Sequence, residues 1–467
     1  MGKKILIIGA GPGGYTAAFL AADLGMDVTL IDKEINPGGT CLYRGCIPYK
    51  SLLHCAKILN NSKDAKDIGI SFDKPDININ RINEWKDRVI ERLTTGLGQL
   101  VKVRKINYIQ GTASFVNSNS AEIISKDNSK RTIKFENAII ATGSSPITID
   151  SFPLSEKILN SADSVDLKNI PESVLIIGGG VIGLEAATIY SSLGSETSVV
   201  EMMPNILPGI DRDLSNILYT KLESSLKNVF LNTQITKIAE NHQGLTVSFK
   251  DKKENTWTEH YTNVLLSIGR KPNTDNLCLD KANVLINEKG LIKTNDQKQT
   301  SASNIYAVGD VTGQPMLAHK ASHEGKIAVE NISGTFSKVS SKIPSVVYTD
   351  PEIATCGISE AQAKEENKNV TVVKFPWAAS GRAQTTHKSD GVTKLIIDKG
   401  TQIILGAGIV GEHAGELIAE CALAIEKELT VSDLKSVVHP HPTLSETIME
   451  ASEIFFGQAT HIFRPRK

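Results

Sequence analysis

The chain has 467 residues, with 51 Lys and Arg against 52 Asp and Glu, a formal net charge of −1. So even a balance gives no long-range field for nucleic acid or an anionic membrane, and no run approaches the ~18 apolar residues needed to cross a bilayer. Six cysteines are too sparse for a secreted disulfide scaffold, and the length suits about three domains of ordinary size. The start, Met1-Gly-Lys-Lys followed at once by an apolar strand, carries no cleavage pattern, so a cytoplasmic protein is expected.

The first predicted element is a buried strand over 4–8, running into Gly9-Ala-Gly11-Pro-Gly13-Gly14. A helix over 15–24 and a strand over 27–31 follow, and Asp32 stands 23 residues after Gly9. In such a β-α-β unit Gly9 permits the tight turn, Gly11 lets the backbone approach a pyrophosphate, and Gly14 allows close packing of helix on strand. The helix N-terminus offers N–H groups to phosphates, and Asp32 can accept from a ribose hydroxyl.

Gly38-Gly-Thr-Cys41-Leu-Tyr-Arg-Gly-Cys46-Ile47 comes next. A disulfide between these cysteines would close a small loop worth only ~2 kcal/mol by chain entropy, so the pair suits switching better than bracing. Taken alone it is equally half of a metal site, or two buried thiols.

Ala138-Ile-Ile-Ala-Thr-Gly143 reads as a strand ending at glycine. The strand Ser173-Val-Leu-Ile-Ile177 then enters a second turn, Gly178-Gly-Gly180-Val-Ile-Gly183, with a helix over 184–193 and a strand over 196–200. Glu201 stands 23 residues after Gly178. A carboxylate here suits a free 2′-hydroxyl and repels a 2′-phosphate, and Met202 and Met203 follow where an arginine would be needed. The pattern favours NAD over NADP. Val264-Leu-Leu-Ser-Ile-Gly269-Arg270 and Asn304-Ile-Tyr-Ala-Val-Gly-Asp310 are further strands ending at glycine. Ligands of open α/β sheets gather at such ends, which makes Asp310 a candidate for a cofactor hydroxyl. Singly, each is equally a strand leaving the core.

Near the end lies His439-Pro-His441-Pro-Thr443-Leu-Ser-Glu446. The prolines restrict the backbone around His441. Glu446 is expected in the first turn of the next helix, able to hold one ring nitrogen while the other meets a thiol. By itself the segment is equally a rigid surface turn. Cys55, Cys278, Cys356 and Cys421 have no paired spacing and are expected as buried small hydrophobes. No cluster of His, Cys and carboxylate has metal-ligand spacing, so no metal is expected.

Taken in order, Gly-Gly-Thr-Cys41, Cys46-Ile-Pro-Tyr-Lys50, the two glycine turns and His-Pro-Thr-Leu-Ser-Glu446 resemble the pyridine nucleotide–disulfide oxidoreductases along essentially the whole chain. The resemblance implies an α/β protein: two Rossmann-like dinucleotide-binding domains, for FAD and NAD, plus a C-terminal α+β dimerisation domain. The FAD domain would take residues 1–145 and 272–343, the NAD domain 146–271 and the interface domain 344–467, with Val346-Val-Tyr-Thr-Asp-Pro-Glu352 at its entry.

Carried over by position, Cys41 becomes the thiol that exchanges with substrate and Cys46 the one facing the flavin. Lys50 and Glu185 become an ion pair beside the flavin, and Asp310 a ligand of its ribityl chain. Ala318 and His319 approach its ring, with Gly143 on the FAD side and Gly269 on the NAD side. His441 becomes the base and Glu446 its partner, both supplied by the other subunit of a homodimer. The implied activity is oxidation of dihydrolipoyl groups on acyltransferase or glycine cleavage carrier proteins. Electrons would pass through a Cys41–Cys46 disulfide and tightly but non-covalently bound FAD to NAD, with no nucleic acid or membrane partner.

The alternative is a related NAD(P)H-dependent reductase of glutathione or another small disulfide, which Glu201 opposes. A non-catalytic FAD-binding scaffold is opposed by the intact Cys41, Cys46, Lys50, His441 and Glu446. Two departures stand out: Tyr49 replaces a usual serine, and Tyr43-Arg44 replaces Asn-Val. Arg44 is expected to lower a thiol pKa by its charge, and Tyr49 to change the packing under the flavin or at the helix entry.

Overall fold

The computed structural model describes residues 2–338 and 342–463, so the expected domain ends at residues 1 and 467 lie outside them. The strand Lys4–Ile8 is apolar on both faces, as the middle of a parallel sheet covered on two sides must be. Ile5, Leu6, Ile7 and Ile8 are all buried, each worth about 1.5–3 kcal/mol of transfer free energy. The strand pairs in parallel with Asp27–Asp32 and with Asn137–Ile140. The sheet runs Ile305–Ala307, Asn137–Ile140, Lys4–Ile8, Asp27–Asp32, Asn107–Asn117, Ser120–Ser125 and Lys130–Lys134, the last two joined antiparallel.

A second parallel sheet runs Asn228–Phe230, Glu196–Val200, Ser173–Ile177, Asn263–Leu266 and Ile158–Asn160. Both helices after the glycine turns begin three residues earlier than their periodicity predicts, at Pro12 and Val181. The cause is steric. A Cβ on Gly14 would stand 1.8 Å from the Gly9 carbonyl oxygen, and one on Gly183 2.0 Å from that of Gly178. The last glycine of each motif therefore lies inside the helix, where it lets the first turn press on the strand end.

The third sheet is wholly antiparallel: Ser345–Val347, Glu352–Gly357, Ile404–Gly411, Val392–Asp398 and Val370–Pro376. Lys394 points from it into a cluster of carboxylates and is only 1 % exposed. Its Nζ lies 2.7 Å from Asp211, 2.9 Å from Asp213 and 2.6 Å from Glu360. Burial alone would lower this ammonium's pKa; the carboxylates outweigh it and hold it above its ordinary value. Asp211 and Asp213 stand at the start of the helix Arg212–Ser225, so the cluster ties the second and third sheets together. Asp213 and Glu360 are partly exposed and keep Lys374 as a second cation, at 2.6 and 3.4 Å, so Lys394→Met should lower the unfolding free energy by about 1.5 kcal/mol, the scale of lost hydrogen bonds to a charged group. A denaturant midpoint equal to that of the parent protein would refute this.

The first two sheets meet at the short turn Asp163–Val165. Lys86, nearly inaccessible on the helix Ile79–Val103, donates to the Val165 carbonyl at 2.8 Å. Tyr190, on the helix Val181–Leu193, donates to the Ser164 carbonyl at 3.1 Å. Tyr49 supplies the third tie, its hydroxyl 2.7 Å from Ser164 Oγ. The tyrosine in place of serine therefore packs between the first two sheets' helices, and its polar end crosses the joint.

Candidate active site

The redox segment is two helices broken at a glycine: Gly39–Arg44 and Cys46–Asp64, with Gly45 between. It is pressed onto the first glycine turn. Gly38 N–H donates to the Ala10 carbonyl at 2.8 Å, and a Cβ on Gly39 would stand 2.5 Å from Gly11 Cα. Gly39 also holds φ +57, a left-handed conformation that glycine adopts freely. Cys41 and Cys46 are half-buried free thiols close enough for hydrogen bonding to couple their ionisation. That bonding lowers Cys46 to about 7 against the burial that would raise it, and the Lys50 ammonium adds to the lowering. The same bonding, with burial, pushes Cys41 well up. Lys50, one turn along the helix, thus favours a thiolate on Cys46.

Lys50 lies one turn along the helix from Cys46. Its Nζ donates to both oxygens of Glu185, at 3.0 and 2.9 Å. Glu185 is on the helix Val181–Leu193, so the pair bridges the first two sheets, and its carboxylate is almost inaccessible. Arg44 does not act as expected. Its guanidinium turns to Glu34 at 2.6 Å, leaving Lys50 as the cation that acts on Cys46.

Asp310 stands at the end of the strand Ile305–Ala307 and accepts from Ser144 Oγ at 2.5 Å. Arg270 donates to that same hydroxyl through Nε at 2.7 Å, and to the Ser144 carbonyl at 2.6 Å. The fully buried Glu324 holds the neighbouring Gly309 N–H at 2.7 Å and is itself paired with Lys298 and Lys320. Ala318 begins the helix Ala318–Ser333, and the His319 ring bonds the Pro344 carbonyl at 2.7 Å. Sequence reasoning missed Ser144, Arg270 and Glu324. Arg270 and Ser144 each follow a strand-ending glycine, Gly269 and Gly143, but nothing local marks Glu324.

The two glycine turns show what they are shaped to hold. Gly9 and Gly178 are crowded by backbone: a Cβ would lie 2.3 Å from the Ala141 oxygen and 2.5 Å from the Ser267 oxygen. Gly13 packs on Val308 and Ala321. Gly11 and Gly180 differ. Both have ordinary φ, −71 and −82, and a Cβ on Gly180 would meet nothing within 4 Å. The nearest atom to one on Gly11 is 3.9 Å away. The chain itself has no need of glycine there, whereas a pyrophosphate approaching the backbone does. Asp32 accepts from Ala10 N–H at 2.6 Å and Glu201 from Gly179 N–H at 2.7 Å, so each carboxylate faces its own turn. Both turns therefore fit a dinucleotide. Gly143 and Gly269, with φ +69 and +121, flank the two-stranded link Ser144–Pro146 with Arg270–Pro272 between the two sheets.

His441 and Glu446 pair as their spacing predicts. The ring Nδ1 lies 2.8 Å from Glu446 Oε1, and Thr443 N–H donates to the other oxygen at 2.8 Å. Glu446 is the first residue of the helix Glu446–Phe455. Burial would raise its pKa, but the Thr443 N–H and the His441 ring hold it below its ordinary value. The His441 side chain is 71 % exposed, and among the described residues no hydrogen bond or ion pair joins it to either cysteine. Of the remaining cysteines, Cys356 and Cys421 are buried as expected. Cys55 and Cys278 are only half-buried, a correction: Cys55 sits beside the buried stripe of Tyr49, Leu52, Leu53 and Ala56, and Cys278 in a left-handed turn.

Comparison with known proteins gives a match to the family described as pyridine nucleotide-disulphide oxidoreductase over residues 3–325, and to its dimerisation domain over 343–452. The chain is 46 % identical to a dihydrolipoyl dehydrogenase of Buchnera aphidicola subsp. Schizaphis graminum, covering 100 % of this chain and 98 % of that protein. It is 43 % identical to the Vibrio cholerae dihydrolipoyl dehydrogenase and 42 % to the Bacillus subtilis one, covering in each case 98 % of this chain and 97 % of the other. Among solved structures it is similar to LpdA from Mycobacterium tuberculosis, with TM-score 0.90 and 25 % identity over 97 % of this chain and 99 % of that one. The HOCl-induced flavoprotein disulfide reductase RclA from Escherichia coli gives TM-score 0.85 at 27 % identity, with the same coverage.

Proposed function

The chain belongs to the pyridine nucleotide-disulphide oxidoreductase family, and from its site we propose that it works as a dihydrolipoyl dehydrogenase, oxidising protein-borne dihydrolipoyl groups and reducing NAD. The observation that carries this reading is the placing of the dithiol segment. Cys41 and Cys46 flank the helix break at Gly45, Lys50 one turn on is paired with Glu185, and the whole segment lies against the first glycine turn.

The reaction begins with Cys41 and Cys46 as a disulfide. His441 of a second subunit, oriented by its own Glu446, takes the proton of one substrate thiol. The resulting thiolate attacks Cys41 Sγ, the bond to Cys46 breaks, and Cys46 leaves as the thiolate that Lys50 stabilises. The second substrate thiol then attacks the substrate sulfur of this mixed disulfide. Cys41 departs with the proton held by His441, which receives that of the second thiol. The substrate leaves as a cyclic disulfide, and its electron pair stays in the Cys41/Cys46 dithiol.

FAD, when bound, supplies the two-electron carrier between this dithiol and the nicotinamide. Gly9, Gly11, Gly13 and Gly14 would hold its pyrophosphate, Asp32 a ribose hydroxyl, and Asp310, braced by Ser144, its ribityl chain. Lys50 and Glu185 would lie beside its ring, near Gly143, Ala318 and His319. Gly178, Gly180, Gly183 and Gly269 would hold NAD, and Glu201 its free 2′-hydroxyl while repelling a 2′-phosphate. Two subunits of a homodimer would each lend His441 and Glu446 to the other's dithiol.

Steady-state assays of the flavin-loaded protein with dihydrolipoamide test the reading. NADH formation with NAD, and at least ~10²-fold less with NADP, is expected from the carboxylate at 201. Failure to turn over, with NADPH-driven reduction of glutathione in its place, would make it a small-disulfide reductase instead.

A further inference from the structure

Tyr348 follows directly on the strand Ser345–Val347 of the third sheet, and it reaches the ion pair that joins the first two. Its backbone N–H donates to Glu185 Oε1 at 3.1 Å. The face of its ring lies under Lys50 Nζ, 4.5 Å from the centroid. Its hydroxyl, by contrast, makes no hydrogen bond among the described residues, and the residue is 37 % exposed. Both ends of the Lys50–Glu185 pair are therefore touched by one residue from a third unit of the fold.

We propose that Tyr348 is a positioning residue of the redox centre. Its N–H fixes the Glu185 carboxylate, and the negative face of its ring holds the Lys50 ammonium in the place from which it acts on Cys46. The proposal rests on the redox role given above to Cys46 and concerns what sets the charge beside it. An ammonium on a four-carbon stem has many rotamers, and Glu185 restrains it from one side only. An aromatic face on another side removes the remaining freedom at little entropic cost, by cation–π attraction. The other charged groups near Tyr348, Glu352 and Glu416, are acidic, so Lys50 is the cation its ring faces. Around Cys46 the titratable groups are Cys41, Lys50, Glu185, Tyr15, Arg270 and Tyr348 itself. Only Lys50 is touched by the ring.

The test uses the full-length, flavin-loaded protein carrying Cys41→Ser, so that Cys46 is the sulfur of the pair that reacts. The rate of its alkylation by iodoacetamide is followed against pH. Adding Tyr348→Leu should move the Cys46 midpoint up by about half a pH unit, because a wandering ammonium stabilises the thiolate less. Tyr348→Phe keeps the ring and loses only the unbonded hydroxyl, so its curve should overlie that of Tyr348. A fluorinated phenylalanine at 348 keeps the shape, folds where leucine does not, and weakens the ring face; it should shift the midpoint the same way. The proposal is overturned if leucine and the fluorinated ring both titrate with the parent, or if Tyr348→Phe shifts as far as leucine. The titration uses neither NAD nor a dithiol substrate. Absence of dihydrolipoamide turnover would therefore sink the functional reading and leave this one to be judged by its own curves.

Discussion

Cys46→Ser should lower NAD-linked oxidation of dihydrolipoamide at least ~10⁴-fold, and Cys41→Ser should lower it as far, because the two sulfurs act as one unit. Losing either removes the disulfide that substrate must attack, so the double variant should be no worse than each single one. A residual rate within tenfold of the parent protein would disprove the role of the pair. The reduced parent should also show a pH signature. A thiol lowered to about 7 is ionised above that pH and protonated below it, so thiolate absorbance should fall as pH drops through about 7. Cys46→Ser should lack that step, because burial still holds the remaining Cys41 thiol up.

His441→Ala should cost a further large factor, ~10²–10⁴ in kcat, the usual range for removing a positioned general base. The decisive form of this experiment mixes subunits. Within one chain the His441 ring is largely exposed, and among the described residues no hydrogen bond or ion pair joins it to the dithiol. Cys41→Ser and His441→Ala chains, each inactive alone, should give roughly a quarter of parent activity when co-expressed. Half of randomly formed dimers are mixed, and each mixed dimer holds one fully intact site. Activity no greater than that of the separate variants would mean that base and dithiol belong to the same chain.

Local features of this site were legible in the chain, and distant ones were not. The turns at Gly9 and Gly178 announce themselves because strand, glycines, helix and acidic terminus fall within one supersecondary unit. His441 and Glu446 are five residues apart, and a helix start brings them together. Tyr49 was visible as a departure, but its partner Ser164 lies in another sheet's turn, so only the fold reveals a tie across the joint. Ser144, Arg270 and Asp310 meet from three remote segments, and no spacing rule connects them. Arg44 shows the opposite failure. It is two residues from Cys46 in sequence, yet the helix directs it outward to Glu34. Proximity in sequence does not fix which way a charge turns, here across the helix break at Gly45.

The Glu185 carboxylate makes two residues of different layers depend on each other. It is almost inaccessible on a helix of the second sheet, and among the described residues its ion-pair partner is Lys50, from a helix of the first. Docking takes both charges out of water together. Replacing either one alone leaves the other buried without its counter-ion, among the costlier defects a core can carry. A change at residue 50 is therefore felt at 185, and the seam that carries the chemistry accepts substitution in pairs more readily than singly.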